Sequence, residues 1–277
     1  MLDNKEAGSL NAWLFFLLTF ALSWASWAMA ALLGAKDNEL PAQILHYAGG
    51  LGPLAATLAL LYRRHTPDFR REFWRRAIDF KRIGIKWYGV IILTVPALTA
   101  MGALADMLLG GIGLQMEAAE RFVQQPWAFA PFAVFTLVFG PLPEELAWRG
   151  YALDGLQVKW KALSASMVLG AAWTLWHLPL FFIEGSYQHG LGLGTSQFWL
   201  YMLDKVPQSV LMTWIYNNNR RSTLSAILFH FMVNLIGELF DLTLRAEAFY
   251  ILLWIVAAIG VTIVWGPERL ARDRREA

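Results

Sequence analysis

The chain has no cysteine in its 277 residues, which removes disulfides, thiol nucleophiles and cysteine-type metal sites together. Charge is scarce as well: 16% of residues are Asp, Glu, Lys or Arg, against about 25% in an ordinary soluble domain. No internal repeat is visible, which counts against a transporter built from inverted halves. No His-Glu-x-x-His occurs, so the zinc-protease helix of that type is absent. None of the serines in apolar runs has the Gly-x-Ser setting of an activated nucleophile. The Gly-rich stretch 185–194 lacks the Lys-Ser/Thr ending of a phosphate loop and reads as a flexible connection.

What the chain does have is apolar sequence. Hydrophobic residues make up 57%, and they cluster in runs at about 10–33, 44–62, 85–109, 127–140, 163–183, 198–216, 224–240 and 248–264. Most of these approach or exceed the ~20 residues that span a ~30 Å hydrocarbon layer. The pattern predicts an all-α, polytopic integral-membrane bundle of about eight transmembrane helices around a buried polar site. It is read as one transmembrane domain over residues 1–277, with the motif-bearing core at about 127–243.

Charge placement tests that count. With a cytosolic N-terminus, only Lys36, Arg121 and Arg245 of the 23 Lys and Arg fall outside, and Lys205 falls within a span. Such asymmetry is the positive-inside pattern and predicts a multi-pass protein with both termini cytosolic, in the plasma membrane if the chain is prokaryotic. Ala28-Met29-Ala30 resembles a leader cleavage site, but Asp3 and Glu6 outnumber Lys5 ahead of a long apolar core, so the first run is expected to be retained. Between the second and third runs, residues 66–86 interleave Arg with Phe69, Phe73, Trp74, Ile78 and Phe80 at near-helical spacing. A basic helix with an aromatic edge is expected to lie in the headgroup layer of the lipid bilayer, not on nucleic acid.

Titratable groups at membrane depth are expensive, so each is by default a candidate functional residue. Glu144 and Glu145 follow Gly140-Pro141-Leu142-Pro143, a break that ends one helix and restarts another. A broken helix at that depth is tolerated where it faces protein or a water-filled cavity. Glu145 and Arg149 are four apart and share a helix face, so they are expected to pair. Glu144 points about 100° away and stays free to take up a proton. His177 is expected mid-span in the fifth helix, and His230 two turns into the seventh, with Asn234 four residues on and on the same face. A carboxylate, two imidazoles and an amide in one pocket suit water activation and oxyanion stabilisation. Asp106, Asp204 beside Lys205, Glu238 and Asp241 are read as local pairs or helix-end charges; an aspartyl dyad of Asp106 and Asp204 is the weaker alternative.

Glu144-Glu145-x-x-x-Arg149, Trp173-x-x-x-His177 and His230-x-x-x-Asn234 resemble the three motifs of the CPBP family. That family takes in type II CAAX prenyl proteases, bacteriocin-processing or immunity proteins and abortive-infection-like proteins. Trp173 stands where the family usually has Phe, an exchange expected to leave the chemistry unaltered. The resemblance implies an intramembrane endopeptidase acting on a peptide or protein substrate at the cytosolic membrane face. In it, Glu144 activates water beside His177, His230 and Asn234 stabilise the oxyanion, and Glu145 and Arg149 order the helix. Glu144, His177 and His230 are also the set that would hold zinc in an open catalytic site; pairing of His230 with Asn234 favours the metal-free, glutamate-dependent version. The alternatives are a non-enzymatic immunity or assembly protein on the same scaffold and a proton-coupled transporter.

Overall fold

The structure is a computed structural model that describes residues 10–34, 36 and 39–272. The segment around Lys5 and the tail cations Arg274 and Arg275, both used in the charge argument, lie outside the described residues. Every apolar run forms helix, as a backbone in lipid must, because its N–H and C=O groups have no water to turn to.

Helix α1 (Ala12–Leu33) packs against a bent pair, α2 (Leu40–Gly50) and α3 (Gly52–Arg64). The two members of that pair meet at 45°. The close approach requires Gly49, where an added Cβ would fall 2.3 Å from the Trp27 indole nitrogen. Beside it, Trp27 Nε1 donates to the His46 carbonyl at 2.9 Å and Ser26 Oγ to the Leu45 carbonyl at 2.8 Å.

Helix α4 (Pro67–Ile78) is the basic segment, capped by the Thr66 hydroxyl. Its aromatic edge is turned largely into the protein. Phe69 and Phe73 are buried in the protein, and Phe69 stacks on His65 at 4.2 Å; only Ile78 and the following Phe80 remain strongly exposed. Arg76, on the same helix, is buried as well. Its guanidinium donates to Asp154 at 2.6 Å, to the Tyr216 hydroxyl at 2.6 Å and to the Gly150 carbonyl at 2.9 Å. Burying a charge is tolerable only with such pairing, so α4 is fastened to the bundle by a polar lock.

Helix α5 (Ile85–Leu108) leads to a two-residue strand, β1 (Leu114–Gln115), and then α6 (Glu117–Gln124) and α7 (Pro126–Phe139). The break expected at Gly140 is present: α8 (Pro141–Ala147) restarts the helix, a π-helical turn follows at Trp148–Ala152, and α9 (Leu153–Gln157) completes the stretch. The remaining elements are α10 (Ala162–Trp176), a 3₁₀ turn at Leu178–Phe182, α11 (Tyr187–Leu191), α12 (Ser196–Asn218), α13 (Thr223–Leu239), β2 (Asp241–Leu242) and α14 (Leu244–Trp265). β1 and β2 pair antiparallel, Leu114 with Leu242. α11 gives the Gly-rich connection a short helix that its composition did not suggest.

The all-α polytopic bundle is as the sequence predicts, and its surface fits lipid: Leu32, Ile85, Leu108, Val123 and Ile263 are all strongly exposed. Among the described residues five helical stretches are long and apolar enough to cross a membrane, six with the bent pair counted as one span. The other two expected spans are helical but fall short. α13 has 17 residues, and α12 carries Asp204, Lys205 and Gln208 through its middle. These two are the helices that need polar or protein neighbours, and they flank the candidate site. α12 packs on α10 and α14, while α13 packs on α5 and α8.

Candidate active site

Gly140 ends α7 with φ −121° and ψ −94°, and Pro141 and Pro143 occupy the first turn of α8. Proline suits that turn because its missing N–H has no helical partner there anyway. Glu144 therefore stands at a helix N-terminus, where an acid is favoured by the helix dipole. Glu144 and Glu145 are both buried.

The neighbouring acids have different partners. Glu145 Oε1 accepts from Arg149 Nη1 at 2.8 Å, the pair that their spacing predicts. The same oxygen lies 2.9 Å from His230 Nδ1. Since a carboxylate only accepts, His230 carries a proton on Nδ1 and turns Nε2 away from Glu145. His230 is thus tied to Glu145 rather than paired with Asn234. Asn234 instead reaches the helix break: a Cβ added at Gly140 would fall 2.9 Å from Asn234 Nδ2. Glycine at 140 is what lets the amide come so close to the start of α8.

Glu144 is held from another helix. Trp173 Nε1 donates to Glu144 Oε2 at 2.6 Å. A phenyl ring at this position would have no such donor, so the Trp adds a contact that the motif's usual Phe cannot make. The carbonyl of Trp173 accepts from His177 Nδ1 at 2.8 Å, leaving His177 Nε2 as the acceptor nitrogen. His177 lies within the apolar stretch Ala162–Phe182, in its later part. It caps the C-terminus of α10, since Pro179 follows two residues later and the chain tightens into the 3₁₀ turn.

Trp173 is the common neighbour of the whole set. Its ring meets His230 edge-on at 5.0 Å and lies under the Arg149 guanidinium at 5.1 Å. A second cation, Lys205, lies 5.7 Å from the same ring and 4.0 Å from that of Tyr201, which in turn packs edge-on against His177. Lys205 and Tyr201 were not in the predicted set. The available signal was Lys205 itself, a cation inside an apolar run. Its charge is balanced by Asp204 at 2.7 Å, and Gln208 holds the other Asp204 oxygen at 3.0 Å. Asp106 is bound elsewhere, by the Gly113 amide, the Thr243 hydroxyl and the Arg245 guanidinium. Each acid has its own cation, so the aspartyl dyad is not formed.

In the set of Glu144, His177 and His230, both Nδ1 atoms and Glu144 Oε2 are committed to protein partners, which leaves Glu144 Oε1 and the two Nε2 atoms as the open positions of the set. Among the described residues no group of three or more His, Asp or Glu is placed to share a metal ion.

A lipid-facing helical bundle with acids, imidazoles and an amide converging inside it defines an integral-membrane protein with an internal polar cluster. The profile of the type II CAAX prenyl endopeptidase family, described as Rce1-like, matches residues 126–236, the segment from α7 through most of α13. The CAAX prenyl protease 2 of Methanococcus maripaludis is 32% identical over 235 residues, covering 84% of this chain and 86% of that protein. The chain belongs to this family of membrane proteases.

Proposed function

We propose that the protein is a metal-free, glutamate-dependent intramembrane endopeptidase that cleaves near the cytosolic membrane face, with a CAAX-like C-terminal segment as its substrate class. The observation that carries this reading is the division of labour between adjacent acids. Glu145 Oε1 is held by both Arg149 and His230 while its Oε2 is fully enclosed by protein, whereas Glu144 has only Oε2 held, by Trp173, and keeps Oε1 without a protein hydrogen bond.

Glu144 Oε1 takes a proton from water as the oxygen attacks the substrate carbonyl. His177 Nε2, its Nδ1 proton fixed on the Trp173 carbonyl, accepts the second water proton in a hydrogen bond and aims the nucleophile. The carbonyl oxygen becomes an oxyanion. Carrying both ring protons, His230 donates Nε2–H to it while Nδ1–H stays on Glu145, and the Asn234 amide gives a second donor; such preorganised donors contribute about 3–4 kcal/mol each. The C–N bond then breaks, and Glu144 returns its proton to the leaving amine. The products are a carboxylic acid and an amine, and the base is regenerated.

The test is cleavage of a fluorogenic CAAX-type peptide, prenylated and unprenylated, by the purified protein in detergent or liposomes. Wild type should turn over, Glu144→Gln should lose at least about 1,000-fold in kcat, and a strong zinc chelator should leave the rate unchanged. Activity retained in Glu144→Gln would defeat the mechanism; chelator inhibition reversed by added zinc would defeat its metal-free form.

A further inference from the structure

Given the proposed role of Glu144, on which this inference rests, we propose that Trp173 is a positioning residue that selects which oxygen of Glu144 acts as the base. The indole is one of the most completely buried side chains of the protein, and its Nε1–H has a single acceptor, Glu144 Oε2, at 2.6 Å from a different helix. A buried donor with one acceptor holds that acceptor firmly, because breaking the bond strands both groups away from water. A carboxylate fixed by one oxygen has lost rotation about its terminal torsion and presents the other oxygen in a set direction.

The rest of the ring's surroundings fix the donor itself. Arg149 lies over one part of the indole system at 5.1 Å, the His230 ring meets it edge-on at 5.0 Å, and the Trp173 backbone carbonyl takes the His177 Nδ1 proton. One residue therefore sets Glu144 through its N–H, His177 through its C=O and His230 through its ring. A phenyl group would keep the backbone carbonyl but lose the grip on Glu144 together with part of the ring packing, so a fused-ring analogue without the N–H isolates the grip itself. The Trp at 173 is thus a specific device for base orientation, and not an interchangeable aromatic filler.

The experiment compares wild type, Trp173→Phe and a variant carrying 3-benzothienylalanine at 173, which keeps the fused-ring shape and lacks the N–H. In both variants kcat should fall about 10- to 100-fold, the worth of a charge-assisted buried hydrogen bond. KM should stay within about twofold and the thermal midpoint should change little in the shape-preserving variant. Wild-type kcat in the benzothienyl variant, or kcat and thermal midpoint falling together in it, would overturn the proposal. An independent readout is ultraviolet resonance Raman: the wild-type minus Trp173→Phe difference should show a strongly hydrogen-bonded indole, and that band should shift to a weakly bonded position in Glu144→Ala. An unmoved band would likewise overturn the proposal. If the wild type cleaves no peptide, the endopeptidase reading fails and the catalytic role of Trp173 falls with it, while the Raman band still decides whether the indole grips Glu144.

Discussion

Glu145 Oε1 is shared: Arg149 Nη1 approaches it at 2.8 Å and His230 Nδ1 at 2.9 Å, so one carboxylate oxygen joins a guanidinium of its own helix to an imidazole 85 residues away. Glu144, one residue before it, has neither partner. The two acids should therefore fail in different ways. Removing the charge of Glu145 leaves Arg149 buried without a counter-ion, an event that costs about 3–5 kcal/mol, and frees His230 to turn. Glu145→Gln should lower the thermal midpoint and kcat together, whereas Glu144→Gln should abolish turnover with the midpoint held within a few degrees. Thermal unfolding in detergent, followed alongside peptide cleavage, separates the two. A fully stable, inactive Glu145→Gln would contradict the structural half of this division.

The helix break gives a second prediction. A Cβ at Gly140 would fall 2.9 Å from Asn234 Nδ2 and 3.1 Å from the Thr136 carbonyl. The amide is the movable member of this contact, so Gly140→Ala should displace it and withdraw an oxyanion donor. The loss expected is about 10-fold or more in kcat with an unchanged KM. Adding Asn234→Ala to Gly140→Ala should then cost little more, because both changes remove the same donor. Fully additive losses would show that Gly140 acts in some other way.

The part of this arrangement legible in the sequence is the part set within one helix. Glu145 and Arg149 meet because residues four apart share a face, and the break at Gly140-Pro141 is written in its residues. The grip of Trp173 on Glu144 and of His230 on Glu145 crosses 29 and 85 positions, and no local pattern encodes which atoms will face each other. His177 closes the α-helical part of its span because Pro179 follows, a local cue that the length of the apolar run masks. Near-helical spacing of Phe69, Phe73 and Ile78 marked an apolar edge correctly, but periodicity does not distinguish a face that meets lipid from one that meets protein. Arg76 was hidden for a related reason: a cation within a basic run reads as solvated until its partner, Asp154, is brought in from another helix.

That partner supports a third prediction, remote from the chemistry. The Tyr216 hydroxyl accepts from Arg76 at 2.6 Å and donates to Asp154 at 2.9 Å, completing the lock between α4, α9 and α12. Tyr216→Phe keeps the ring and leaves both charges paired with each other, so it should cost about 1–3 kcal/mol. Asp154→Ala strands Arg76 and removes the partner of Arg221 as well, so it should cost about 3–5 kcal/mol and reduce the yield of folded protein. For Tyr216→Phe, kcat and KM should match wild type, because the lock touches none of the residues assigned to the reaction. Denaturation midpoints measured beside cleavage rates would decide this, and a selective loss of kcat in Tyr216→Phe would tie the lock to the site.

Orientation in the membrane can be read directly because the chain has no cysteine, so any single introduced thiol is the sole site of labelling. Lys81, in the 3₁₀ turn Phe80–Arg82 that follows α4, and Arg121, on α6, are both exposed, and charge asymmetry predicts that they lie on opposite sides. In intact cells a membrane-impermeant maleimide should modify Arg121→Cys and spare Lys81→Cys until the membrane is opened. That labelling pattern would put the α4 lock and the loop between α9 and α10 on the cytosolic side. Labelling of Lys81→Cys in intact cells would invert the topology and move the proposed cleavage to the opposite face, with the geometry of Glu144, Trp173, His177 and His230 unchanged.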